Sequence, residues 1–517
     1  MIIIDGNSLQ IEEVYRVANK KEEVRLGSDA KECIIRSHKR LLNIVKQNKP
    51  VYGINTGFGI FANKTISIDD SKQLNRNLIL SHSVGTGDFL PVEYVRAAML
   101  IRANALAKGY SGIRYELVET LINMLNKDVV PAIRDKGSLG SSGDLCMLAQ
   151  MSLVLSCNDS EKETDSGQVF FNGELISGFE GMTTAGIPRQ VLSYKDGLAL
   201  INGATFSAAL LTLVVESCHY LCLLSDISAA LSLEALLGKS DAFNPVLHQV
   251  RGIQGQIDSS QNILKLIEGS SMVDLHLHLQ DAYSLRCIPQ VHGAVREMLK
   301  NAESIITCEI NAATDNPLII DNEKVISGGN FHGEPIGIYA DALSIAMAEL
   351  AAISERRTFR LLDSSLNHGL PEMLVDEESQ AGLNSGTMMT QYTAAALVLE
   401  NQTLASPDSV RSLPTSANQE DHNANAYLAA YHASKILENC FKVISIELLN
   451  ACRAVDIRRK INPAMKLGKG TQKAFDLVRS IIPYEPDDAV WGDEIDKLHK
   501  QLFIDWQIKE EILQIVN

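Results

Sequence analysis

A chain of 517 residues is long enough for one large domain, or two to three ordinary ones, with an extensive core. It carries 47 basic against 63 acidic residues, a net charge of −16, and no cluster of Lys and Arg interleaved with aromatics, which argues against nucleic acid or an anionic membrane surface as partner. Nine scattered cysteines, odd in number and without a CxxC pair, suit reduced thiols in a cytoplasm.

The N-terminus, "MIIIDGNSLQ", meets Asp5 early and lacks a basic start followed by a long apolar core, so no secretory signal is expected. Ile34, Ile35, Leu41, Leu42 and Val45 recur at helical spacing and predict a helix over about 29–49, followed by the glycine-rich turn "KPVYGINTGFG". Residues 69–84 and 91–127 read as helical, and Pro131 ends that run. Next comes "GSLGSSGDLCMLA", residues 137–149, where a loop of glycines and serines runs into an apolar segment. Asp144 is placed to cap a helix that reaches about Ser156. Residues 157–190 are more polar, with "GQVFFNGELISG" alternating like a small hairpin.

Helices are then expected over about 194–236, 246–268, 289–312, 335–360, 386–404 and 420–456. The stretch from Ala204 is the most membrane-like, but Glu216, Asp226 and Glu234 interrupt it before roughly 18 uncharged residues accumulate. A helix buried in a bundle is the better reading, and no membrane partner is expected. The fold class expected is all-α, an elongated bundle of long helices with a smaller glycine-rich N-terminal part. The expected division is 1–200 for the loop-bearing domain and 201–517 for the long-helix bundle and the C-terminal helical region.

The loop at 137–149 admits two chemical readings. A glycine-rich entry to a helix can cradle an anion, but that pattern needs a Lys-Ser/Thr pair after the last glycine, and Asp144 would repel a phosphate. Alternatively the backbone reacts: Gly143 nitrogen attacks the Ser141 carbonyl and closes a five-membered ring around Ser142, an approach that a residue without Cβ allows. Loss of water from the ring and from the Ser142 hydroxyl would leave an exocyclic methylidene, an electrophile that ordinary side chains do not provide.

At this point the residues carry a resemblance. "GSLGSSGDLCMLAQMSLVL" is similar to the GSxGASGDLAPLAHMSLVL segment of the aromatic amino acid ammonia-lyases and aminomutases, whose prosthetic group is 4-methylideneimidazole-5-one (MIO). "VYGINTGFG" (51–59), "LALINGATFS" (198–207), "FNPVLHQVRGIQGQ" (243–256), "YSLRCIPQVHGA" (283–294), "ISGGNFHGEPIG" (326–337) and "SLPTSANQEDH" (412–422) resemble family segments in the family's order and span most of the chain. The similarity is greatest to the histidine-specific members. It implies an aspartase/fumarase-like helical fold, an MIO formed autocatalytically from Ser141-Ser142-Gly143, a small amino acid substrate, and a homotetramer with shared active sites.

Elimination of ammonia from an α-amino acid needs an electrophile for the amine, a base for the β-proton and a holder for the carboxylate. Arg286 is suited to a bidentate grip on that carboxylate, the role the resemblance implies. The resemblance makes Tyr52 the base and Tyr283 a second active-site tyrosine. It sets Asn202 near the MIO oxygen and substrate, and Gln280 and Phe331 along the site. Glu420 supplies a carboxylate for an imidazole N–H, costly to bury opposite a plain phenyl ring. Ser81-His82 matches the histidine-specific pattern, whereas phenylalanine-selective relatives tend to have Phe-Leu there and tyrosine-selective ones His-Leu.

The pattern also departs from the family. Ser141 stands where alanine is usual, Cys146-Met147 replace Ala-Pro, Gln150 replaces His, Ala282 replaces proline, and Asn423, Ala424 and Asn425 replace Val-Ser-Met. An aminomutase, a tyrosine ammonia-lyase and a catalytically inactive relative share most of these features and stay open at this level. A metal hydrolase is a further alternative, with His276 and His278 as a half-site and His292, His332, Asp421 and His422 elsewhere, but no third ligand has recognisable spacing. No metal is expected.

Overall fold

The structure, a computed structural model, describes residues 1–47, 50–57, 64, 66–67, 70–158, 165–275, 279–377, 380–504 and 506–516. They are mainly helical, as expected for an all-α protein, with short strands of two to four residues. The chain forms two compact units, each assembled from three segments: residues 1–216, 302–341 and 407–431, and residues 217–301, 342–406 and 432–517.

Among the described residues, eight helices lie wholly within the first segment of the first unit: α1 (Ile11–Lys20), α2 (Ser28–Lys46), α3 (Ser71–His82), α4 (Val92–Ala107), α5 (Tyr115–Asn126), α6 (Leu145–Leu155), α7 (Gly178–Thr184) and α8 (Asp196–Ile201). Helix α1 is amphipathic and buries Ile11, Val14, Tyr15, Val17 and Ala18. In contrast, α4 is buried on every side from Val95 to Ala107, which forces its two arginines to find partners inside. Arg96 donates to the carbonyls of Val17 and Leu125, and Arg102 to those of Ala199 and Asn202. Each guanidinium thus binds C-terminal carbonyls, which helices leave unpaired: Arg96 those of α1 and α5, Arg102 those at the end of α8.

The expected hairpin is present. Gln168–Phe171 pairs antiparallel with Glu174–Ser177, Phe171 opposite Glu174, around a turn at Asn172 and Gly173 with positive φ. Three expected helices are each broken in two. The 91–127 run breaks between α4 and α5 at "KGYSGI", where Gly109 and Gly112 have positive φ, and 246–268 divides at Gly252 for the same reason. The 194–236 run breaks at Asn202-Gly203-Ala204, for a reason that belongs to the site.

Most of four long helices belongs to the second unit: α9 (Thr205–Ala235), α13 (Ile288–Glu309), α14 (Glu334–Leu362) and α16 (Ala426–Ile461), with the shorter α10 (Pro245–Gln249), α11 (Gln254–Leu266), α12 (Tyr283–Arg286), α15 (Met388–Leu404), α17 (Lys469–Ile481), α18 (Trp491–Ile504) and α19 (Trp506–Val516). At 36 residues α16 is about 54 Å long. Helices α9 and α14 are long and apolar enough to cross a membrane, but α9 is largely buried in the protein. Two of its acidic interruptions have partners inside the protein. Asp226 accepts from His292, Ser259, Asn262 and Arg296, and Glu234 accepts from Gly468 N. A second buried pair joins Arg357 to Glu447, which also receives the Ser232 and Ser354 hydroxyls.

Candidate active site

The break after α8 sets the site. Arg102 Nη1 holds the Asn202 carbonyl at 2.8 Å, which fixes the last turn of α8 and leaves the Asn202 side chain free to reach the loop. Its amide donates to the Ser142 carbonyl at 2.9 Å. Gly203, at φ +144°, is pressed between Thr314, Arg102 and the loop, and Gly143, at φ +78°, lies against it. A Cβ on Gly143 would fall 2.3 Å from Gly203 N, and one on Gly203 2.7 Å from Arg102 Nη1. Asp144 N closes the contact on Gly203 O at 2.9 Å. Two glycines are therefore required here by close approach as well as by backbone angle.

Asp144 corrects one expectation. It occupies the N-cap position of α6, yet its carboxylate does not cap that helix. The side chain turns inward and accepts from Ser207 N at 2.8 Å and from the Ser138 hydroxyl at 2.6 Å, so it caps the start of α9 and ties both ends of the loop to it. Burial pushes this carboxyl above its ordinary range, and the bonds from Ser138 and Ser207 oppose that.

A cavity of about 1100 Å³ in the first unit gathers most of the candidates. Ser141, Ser142 and Asn202 line it, as do Tyr52, Phe331, Ser81, His82 and Glu420. Burial lowers the His82 pKa, a shift moderated by the Leu78 carbonyl and the Glu420 carboxylate, so the imidazole is neutral at neutral pH with Ser81 Oγ 3.1 Å from its Nδ1. Glu420 is held by the Thr415 hydroxyl at 3.1 Å and by backbone bonds in both directions between Thr415 and Glu420. The turn so closed runs through Ser416, Ala417 and Asn418, all left-handed, a conformation that costs non-glycine residues about 1–2 kcal/mol each. Strain of this kind is characteristic of functional loops. Nothing in "TSANQE" announces it, because no glycine marks the turn.

Gln280, Tyr283 and Arg286 belong to the second unit and are not among the residues lining this cavity. Tyr283 is 70% exposed; the Arg286 guanidinium stacks over its ring at 4.5 Å and donates to Asp281 O at 2.9 Å. Lys64 and Asn77 line the cavity without having been singled out by sequence. Of the histidines weighed as metal ligands, His276 and His278 lie outside the described residues. His292 is bonded to Asp226 in the second unit, whereas His332 and His422 stack at the cavity with ring centroids 6.0 Å apart. Among the described residues no three His, Cys, Asp or Glu side chains gather as a metal site.

Several departures from the family pattern find hydrogen-bond partners. Gln150 accepts from Arg134 N and donates to Cys146 one turn back. Asn423 and Asn425 tie the chain before α16 to the carbonyls of Leu413, Asp408 and Arg411. Ser141 Oγ accepts from Ala424 N at 2.9 Å.

The tripeptide fits an MIO precursor. Gly143 has the bare, left-handed backbone that ring closure needs, the Ser142 carbonyl already has its donor, and the buried Asn202 Oδ1, beside the same loop, has no partner among the described residues.

Comparison with known proteins agrees. Residues 9–480 match the family model of aromatic amino acid lyases. A histidine ammonia-lyase of Caldanaerobacter subterraneus subsp. tengcongensis is 50% identical over 496 residues, spanning 95% of this chain and 94% of that protein. Among solved structures, the histidine ammonia-lyase of Trypanosoma cruzi matches with a TM-score of 0.89 at 35% identity, covering 100% of this chain and 95% of that one. The tyrosine aminomutase of Streptomyces globisporus matches at 0.92 and 32%, covering 100% and 98%.

Proposed function

The chain belongs to the aromatic amino acid lyase family, and on that premise we propose how its residues divide the work of the reaction. It is a carbon–nitrogen lyase with histidine ammonia-lyase activity, eliminating ammonia from L-histidine to give trans-urocanate. The observation that carries the assignment of roles is one cavity with Ser141, Ser142 and Asn202 together with His82 and Glu420.

The resident group is MIO formed from Ser141-Ser142-Gly143, and it supplies an electrophile that turns the substrate amine into a leaving group. Asn202 holds the Ser142 carbonyl and so orients that group. Glu420 accepts the imidazole N–H of the substrate, and the Thr415 bond leaves its other oxygen for that purpose. Neutral His82, beside Ser81, offers a polar wall without a competing positive charge. Phe331 packs on the substrate.

Tyr52 removes the β-proton. A phenol of ordinary pKa, near 10, is a poor base at neutral pH. Lys64 is a cation lining the same cavity. Arg286 grips the substrate carboxylate, assisted by Tyr283 and Gln280. We assign these three to a neighbouring copy in a homotetramer with shared active sites, a reading supported by the exposure of Tyr283. All nine cysteines are unbridged, which supports a cytoplasmic location.

Intact mass tests the cofactor assignment: subunits lighter than the sequence mass by two waters are expected, and a full mass refutes it. Incubation with L-histidine should raise the ultraviolet absorbance of urocanate; β-histidine as sole product would overturn the assigned outcome.

A further inference from the structure

The loop that forms the electrophile and the stretch that carries Glu420 meet through one side chain. Ser141 is 4% exposed; its hydroxyl donates to the Leu139 carbonyl at 3.1 Å and accepts from the Ala424 N–H at 2.9 Å. With its proton donated and one lone pair accepting, the hydroxyl is held in one rotamer and ties the Ser141 Cα to two backbone groups. Ala424 is fully buried and lies four residues after Glu420, two before the start of α16. Its surroundings are rigid: Gly333 N donates to Gly140 O at 3.0 Å, and a Cβ on Gly140 would fall 2.8 Å from Tyr427 N.

We propose that Ser141 is a positioning residue for ring closure, its hydroxyl anchoring the carbonyl that Gly143 attacks to the segment following Glu420. The proposal rests on the reading that Ser141-Ser142-Gly143 forms MIO. In that closure the Gly143 nitrogen pair forms a bond to the Ser141 carbonyl carbon. The carbonyl oxygen leaves as water with the N–H protons of Gly143 and Ser142, and a C=N bond joins the Ser141 carbon to the Ser142 nitrogen. Ser142 then gives up its Cα–H and its hydroxyl as a second water, leaving the Cα=Cβ bond. Two waters depart and no oxidant or reductant is needed. The Ser141 side chain loses no atom, so its two hydrogen bonds serve before and after closure.

Alanine at 141 leaves the buried Ala424 N–H without its partner and the Cα next to the attacked carbonyl without those two ties.

The test is a time course of intact mass during cell-free synthesis of the full chain, with thermal midpoints of the purified products. Ser141→Ala should lose its two waters roughly tenfold more slowly, equivalent to about 1.4 kcal/mol in the barrier. Ser141→Cys, a weaker acceptor of similar size, should fall between wild type and Ser141→Ala. Closure of Ser141→Ala at the wild-type rate, or slowing only in step with a lowered thermal midpoint, would overturn the proposal. If Ser141→Ala does not fold, Ser141→Cys decides by the same comparison. Full mass in the wild-type chain is a different result, because it refutes MIO formation itself.

Discussion

Glu309→Gln is the perturbation whose size the structure sets most directly. Glu309 ends α13 within the first unit; although the residue is partly exposed, its carboxyl is desolvated by burial and faces Asp144, and its pKa is pushed from 4.5 up to about 7. Between pH 4.5 and 7 the folded protein therefore binds a proton there that the unfolded chain has released. Stability contributed by this group is present below pH 4.5, falls as pH rises through that window, and is lost above about 7. At 1.36 kcal/mol per pKa unit, the displacement corresponds to about 3 kcal/mol. Glutamine keeps the shape of the protonated acid and cannot ionise, so it removes the loss. With an unfolding entropy of about 2.1 cal/mol/K per residue, a 517-residue chain gains about 3 °C in Tm for that energy. Scanning calorimetry of wild type and variant from pH 4.5 to 8.5 should show equal Tm at the acid end and a growing advantage for Glu309→Gln up to about pH 7. A constant difference across the range, or an advantage at acid pH, would refute the reasoning.

Three further changes separate other parts of the account. Glu420→Gln should lower kcat/KM for L-histidine by about 10- to 100-fold, the worth of a hydrogen bond to a charged acceptor, in steady-state urocanate assays, without altering the intact mass. Gly143→Ala places a methyl 2.3 Å from Gly203 N at a left-handed residue, so the purified variant should keep its full sequence mass and make no urocanate. Arg357→Met leaves the Glu447 carboxylate buried without its cation; burial alone would raise that carboxyl, and Arg357 is what pulls it below the ordinary range. A loss of about 3–5 kcal/mol in urea unfolding is expected, with the two-water mass deficit retained in molecules that fold.

Much of the fold was legible because long apolar runs leave little choice: α13, α14 and α15 fall close to where periodicity put them. Where sequence reading failed, a local preference lost to a contact distant in the chain. The run 194–236 has helical composition throughout, yet it breaks at Asn202-Gly203 because Arg102 claims the Asn202 carbonyl and Gly203 packs on Gly143. The 420–456 helix starts only at Ala426, because the chain before it is spent presenting Glu420 from a left-handed turn and anchoring Ala424 to Ser141. Asp144 sits where a cap belongs, but the nearby Ser207 amide takes its carboxylate.

By itself, then, the sequence determined the chemistry available to this protein. The Ser-Ser-Gly triplet and Glu420 were nameable in advance from the chemistry of their residue types, and the Asn-Gly step and the Ser81-His82 pair from the family resemblance. Only the tertiary structure decided which of them share one cavity, which way Asp144 turns, and that Ser141 is bonded to Ala424. Those outcomes depend on hydrogen bonds between residues tens to hundreds of positions apart, and a one-dimensional pattern carries no term for such pairs.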